Sequence, residues 1–147
     1  MKTAYEMKYL KTFTGHSTAP MVPYSPEYRE RYKKLYNECY HEMREALDIK
    51  PYDFIQDDSF FESGMEQVYL WLKDDEIIGS VALKGEEIDD LLVDKKYQGN
   101  GYGRQLLLWA LEHISAEHPK LHVISWNKRA INLYKSAGFE ITETINF

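Results

Sequence analysis

The spacing of hydrophobic positions changes several times along the chain, and each change marks an element. Val68-Tyr69-Leu70-Trp71-Leu72 and Ile77-Ile78-Gly79-Ser80-Val81-Ala82-Leu83, separated by Lys73-Asp74-Asp75-Glu76, predict an antiparallel hairpin. A further strand is predicted at Glu86–Val93, followed by a glycine-rich loop. A helix from about Gly101 to His118 then carries Leu107, Leu108, Leu111 and Ile114 on one side and stops before Pro119. Next come a strand, Leu121–Trp126, a helix, Asn127–Ala137, with Gly138 as its C-cap, and a last strand, Phe139–Phe147. The second half therefore reads β-α-β-α-β. Earlier in the chain, Tyr5–Phe13 predicts a strand closed by Thr14-Gly15-His16-Ser17. Ser25-Pro26-Glu27 opens a long amphipathic helix in which Tyr28, Tyr32, Leu35, Cys39, Met43 and Leu47 recur at three- and four-residue steps. Its tyrosines, Tyr36 and Tyr40 included, read first as core and only second as the wall of a substrate pocket. Pro51 closes that region, and a short helix is expected around Asp57–Glu62.

Size and composition narrow the class. A chain of 147 residues suits one domain, 1–147, with one core. No apolar run approaches the roughly 18 residues of a membrane span. Met1-Lys2-Thr3-Ala4-Tyr5-Glu6 has no apolar segment or small-residue cleavage site of the secretory kind, so a cytoplasmic protein is expected. Cys39 is the only cysteine, which excludes an internal disulfide, and it reads as core filler. The net charge of −6 disfavours binding to nucleic-acid phosphates and favours a cationic small molecule or amine.

The glycine loop carries the chemistry. Gly99, Gly101 and Gly103 stand between a strand and a helix start, where amides without helical partners and the helix dipole favour an anion such as phosphate or pyrophosphate. The loop is not a G-x-x-x-x-G-K-[ST] element, because Arg104 stands where the second glycine is due. It is not a G-x-G-x-x-G fingerprint either, because Arg104 or Leu106 occupies the third glycine position.

What matches is Q/R-x-x-G-x-G/A, present as Gln98-Gly99-Asn100-Gly101-Tyr102-Gly103 directly after Leu91-Leu92-Val93-Asp94. This resembles the acetyl-CoA-binding motif of the GNAT family of N-acetyltransferases. Asn127-Lys128-Arg129-Ala130-Ile131-Asn132-Leu133-Tyr134-Lys135-Ser136-Ala137-Gly138-Phe139 is similar to that family's N-x-x-A-x-x-L-Y-x-x-x-G-F. The resemblance extends from about Val68 to Phe139. It implies an α/β (α+β) fold in which a mixed, mostly antiparallel central sheet is flanked by helices. It also implies acetyl-CoA as cosubstrate, no metal, and an amine-bearing acceptor, a small molecule or a protein. The amides of Gly99, Gly101, Tyr102, Gly103 and Arg104 would receive the pyrophosphate, within a cofactor-binding loop that also includes Gln98 and Asn100. Leu92 and Val93 would offer backbone groups to the pantetheine arm, and Asn127 would cap its helix and bond the same arm.

Direct acetyl transfer needs a neutral amine, an exit for its proton, and stabilisation of the oxyanion and the departing thiolate. Tyr134 stands where the family carries its thiolate-protonating tyrosine, and a phenol with a pKa near 10 suits that role. The resemblance places Glu87 at the strand glutamate of the histone-acetylating branch. Asp89 shares its face in an ideal strand, and Asp90 lies opposite unless a bulge re-aims it. The backbone N–H of Val93 is the expected oxyanion donor. His113, Glu117 and His118 lack zinc-ligand spacing, His122 reads as structural, and no serine sits in a G-x-S-x-G frame. A non-catalytic acyl-CoA sensor on the same scaffold is the alternative function. The family usually ends with two strands after the second helix, whereas Glu140–Phe147 suffices for one. A missing last strand and an exposed edge that another copy covers as a homodimer are therefore expected.

Overall fold

Ile77 to Ala82 are buried without interruption, the pattern of a strand covered on both faces. In the computed structural model, which describes residues 1–147, seven strands form one sheet. They are β1 (Thr3–Tyr9), β2 (Met21–Pro23), β3 (Val68–Lys73), β4 (Glu76–Lys84), β5 (Glu87–Val93), β6 (Lys120–Ile124) and β7 (Phe139–Asn146). The helices are α1 (Arg29–Ala46), α2 (Tyr102–His113) and α3 (Lys128–Ala137). The strand order is β2-β3-β4-β5-β6-β1-β7, and every neighbouring pair is antiparallel except β5 with β6. This is the mixed, mostly antiparallel sheet with flanking helices that the sequence implies.

Two cores lie on opposite faces of the sheet, because consecutive strand residues point to opposite sides. Val81 joins Leu107, Ala110, Ile131 and Tyr134 in the α2–α3 core, whereas its neighbour Ala82 joins Tyr32, Leu35 and Leu70 in the α1 core. The period of α1 is thus that of a helix packed on a sheet. Tyr32 and Leu35 are almost wholly buried, and burial of a side chain such as Leu35 contributes about 1.5–3 kcal/mol.

Several element bounds differ from the pattern-based expectation. The first strand ends at Tyr9, four residues early, and the chain then runs irregularly until β2, an edge strand too short to leave a periodic signal. Ser25-Pro26-Glu27 opens a 3-10 turn, Pro26–Tyr28, and the α-helix begins one step later at Arg29. The helix expected to reach His118 ends at His113. There the chain must extend to reach β6, where Pro119 O accepts from Tyr9 N and Lys120 N donates to Glu86 O.

One strand alone follows α3, as its length predicted. Its neighbour is the N-terminal strand: β1 lies between β6 and β7 and pairs with both. The expected gap beside β7 is therefore absent, because β1 fills it from within the chain, and the outer edges of the sheet are β2 and β7. No helix is long and apolar enough to cross a membrane.

Candidate active site

The site begins where two strands part. β5 and β6 share a single register pair, Glu87 with Lys120. Past that point a groove opens between them. Its mouth, ≈ 580 Å³, lies along the glycine loop, and its neck, ≈ 280 Å³, lies between the two strands. The neck is lined by Cys39, Tyr40 and Met43 of α1 and by Ala130, Leu133 and Tyr134 of α3. Since these helices lie on opposite faces of the sheet, the groove passes through it.

The mouth is built mainly from backbone. Gly99 and Gly101 have φ of +82° and +86°, in the left-handed region that side chains rarely adopt, and Gly101 stands at the N-cap of α2. Beyond its own chain neighbours, nothing lies within 4 Å of where a Cβ on Gly101 would sit, so this approach to the first-turn amides stays clear. Gly99, Gly101, Tyr102, Gly103 and Arg104 line the mouth, together with Lys95, Lys128 and Arg129. Asn100 does not line it. Its side-chain amide donates to Tyr97 O and Gln98 O and so braces the loop from behind.

The end of β5 is tied to α3. Gln98 donates through Nε2 to Val93 O (3.0 Å) and accepts through Oε1 from Arg129 (3.1 Å). Cys39 Sγ also donates to Val93 O (3.4 Å), and burial pushes its thiol up to about 12, so it packs in the groove without thiolate character. Asn127 caps α3, its Oδ1 accepting from Ala130 N (3.1 Å), and lines mouth and neck alike. Leu92 points into the α1 core and its backbone pairs with Ser80 of β4, so the backbone of Val93, one step on, is the one that faces the groove. Tyr134 is nine-tenths buried at the neck, its phenol pushed up to about 12 by burial and by the charge of Asp89. It therefore keeps its proton at neutral pH.

The strand carboxylates fall differently from the ideal alternation. Ser80 and Ala82 on β4 face Leu92 and Asp89 on β5, so two steps on one strand answer three on the other. The extra residue is absorbed in a bulge at Asp90, whose φ is +46°. The bulge turns Asp90 to the α1 face, where Tyr40 donates to its Oδ1 (2.8 Å), and both Asp89 and Asp90 line the neck. Burial, then the charge of Asp89, raises the Asp90 carboxyl to about 6 against the pull of Tyr40 and Lys84. Glu87 is not at the neck. It sits at the closed end of β5 against His122 Nδ1 (3.1 Å), while His122 Nε2 faces Glu6 (3.4 Å).

Sequence reasoning did not single out Lys95, Lys128 or Arg129. Two adjacent cations directly after the capping Asn127 were the available signal for Lys128 and Arg129. Tyr40, which the sequence offers first as core and second as a pocket wall, lines the neck; its bond to Asp90 left no signal, because its spacing along α1 matches that of its core neighbours.

The acetyltransferase (GNAT) family model matches residues 29–139, and the chain belongs to that family. Among curated proteins it is 32% identical over 85 residues to the peptidyl-lysine N-acetyltransferase YjaB of Escherichia coli strain K12, covering 54% of this chain and 55% of that protein. It is 35% identical over 78 residues to the protein of the same name from Salmonella typhimurium, covering 50% of this chain and 51% of that one. The chain thus matches about half the length of these curated relatives. The fold is also that of a GNAT-family acetyltransferase from Colwellia psychrerythraea, with a TM-score of 0.75 and 10% identity over 97% of this chain and 53% of that one.

The family uses acetyl-CoA, and the residues present fit it. Open first-turn amides, an unobstructed glycine approach and four cationic side chains suit a pyrophosphate, and the through-sheet neck suits a thioester arm.

Proposed function

We propose that the protein transfers the acetyl group of acetyl-CoA to a primary amine by direct attack in a ternary complex, in the cytoplasm, within a single domain spanning 1–147. The observation that carries this is the groove through the sheet, open to a phosphate cradle on one side and to α1 on the other, with Tyr134 at its neck. Acetyl-CoA supplies the activated acetyl thioester. The amides of Gly99, Gly101, Tyr102, Gly103 and Arg104 hold its pyrophosphate, with Gln98 and Asn100 shaping the loop. The backbone of Val93 and the side chain of Asn127 orient its arm, and the Val93 N–H meets the oxyanion. Tyr134 gives its Oη proton to the thiolate sulfur. The relatives' name supports the lysine side chain of a peptide as the acceptor. A homodimer belongs to the same reading, through an exposed sheet edge other than the place that β1 fills.

Release of CoA thiol against a panel of amines, with calorimetric titration of acetyl-CoA, tests the reading. Turnover on a lysine-bearing peptide is expected, whereas tight acetyl-CoA binding without turnover on any amine would overturn it. Light scattering across a concentration range that shows only monomer would remove the dimer.

A further inference from the structure

The neck of the groove holds a carboxylate that the fold has gone out of its way to place there. A non-glycine residue at positive φ in mid-strand is uncommon, and here the bulge sets Asp90 beside Asp89 on one face where ideal alternation would separate them. Lys84 Nζ lies 3.0 Å from Asp89 and 3.8 Å from Asp90, so the one nearby cation chiefly serves Asp89. The Asp90 side chain is 13% exposed, faces the cavity and has Tyr40 as its close hydrogen-bond donor. An ionised carboxylate has about four acceptor positions, more than Tyr40 and Tyr36 take up, so acceptor capacity stays open toward the cavity. Beside it, the Tyr40 ring and Met43 give the α1 side of the neck apolar walls.

We propose that Asp90 receives the acceptor as an ammonium ion entering from the α1 face and takes its proton, so that the site selects an unbranched primary alkylamine in its charged form. This rests on the acetyl-transfer reading above. One N–H bond of the ammonium breaks, its electron pair stays on nitrogen, and the proton passes to Oδ of Asp90. The products are a neutral amine and a neutral carboxylic acid, which returns its proton to water. Tyr40 is a positioning residue, since its hydroxyl fixes the carboxylate and favours the charged form. The ionisable groups around Asp90 are Asp89 on β5, Lys84 on β4, and Tyr32, Tyr36 and Tyr40 on α1, and Cys39 of α1, His122 of β6 and Tyr134 of α3 line the same cavity. Its carboxyl, held near 6, is charged at neutral pH and a better proton acceptor than a free aspartate.

Two measurements test this, with Nα-acetyl-lysine methylamide as the probe. In the first, calorimetry in the presence of CoA compares wild type with Asp90→Asn. At least a tenfold loss of amine affinity is expected, with acetyl-CoA affinity within twofold. In the second, kcat/KM is followed against pH. Capture of the ammonium gives a rise near pH 6 and a plateau, because the free amine titrates only near 10. In Tyr40→Phe the rise moves to higher pH, since the larger of the two tyrosine hydrogen bonds that lower the Asp90 pKa, those of Tyr40 and Tyr36, is gone. A wild-type rate that climbs without a plateau to the amine's own pKa overturns the proposal. So do unchanged amine binding in Asp90→Asn and a loss of activity in Glu87→Gln in place of Asp90→Asn. Absence of thiol release by wild type would sink the acetyl-transfer reading, and the binding arm would still decide the role of Asp90.

Discussion

The two edges of β5 behave as if they belonged to different strands. Toward β4 it keeps an antiparallel ladder of five register pairs interrupted by one bulge; toward β6 it keeps one pair and then lets go. The closed edge supplies rigidity and the open edge supplies the groove. The two ends of that groove differ in the same way. At the glycine loop the site is made of backbone amides and positive-φ glycines, whereas at the α1 end it is made of side chains brought together by a bulge and a helix. A backbone site tolerates little change in conformation. A side-chain site can be altered one group at a time.

Tyr134→Phe should separate the ends most sharply, because it removes a proton while keeping the ring packed among Ile131 and Phe139. A fall in kcat of roughly 10²–10⁴ is expected, with acetyl-CoA affinity near wild type. Thiol-release kinetics beside calorimetry measure both, and an undiminished kcat removes this tyrosine from the chemistry.

Asp90→Asn sets function against stability. A carboxyl raised from 3.8 to about 6 binds its proton more tightly in the folded state, so folding stability falls as pH rises through that window and stays lower above it. The asparagine variant should therefore be more stable than wild type at pH 7, by on the order of 2 kcal/mol, and show no such advantage below pH about 4. Urea unfolding at the two pH values checks this. Equal stability at pH 7 would mean that burial of Asp90 is fully compensated.

Gly101→Val strikes the backbone end. The strain of φ +86° and the side chain at the mouth should raise the acetyl-CoA dissociation constant about tenfold or more, and unchanged affinity would refute the cradle. Arg129→Ala should act least, because its bond to Gln98 is exposed. A weakening of acetyl-CoA binding by a few-fold, fading at high salt, is the expected titration result.

The glycine loop and the helix cap at Asn127 were legible because each depends on its immediate neighbours in the chain, whereas Tyr134 was singled out by the resemblance of its motif to that of the family. A loop that needs positive φ takes glycine, and a helix start takes an asparagine, whatever else surrounds them. The alternating runs at 68–83 and the leucine spacing from Leu107 were legible for the same reason. Three features were decided only in the folded molecule. β1 fills the place beside β7, a pairing between strands more than a hundred residues apart that no local pattern encodes. Asp90, and not Glu87, reaches the neck, because strand register alone cannot show which residue absorbs an extra step in the ladder. Tyr40 meets that carboxylate across fifty residues of sequence. Its spacing along α1 is the same as that of Tyr32 and Tyr36. What distinguishes it is the partner that the opposite strand presents, and that is a property of packing between elements.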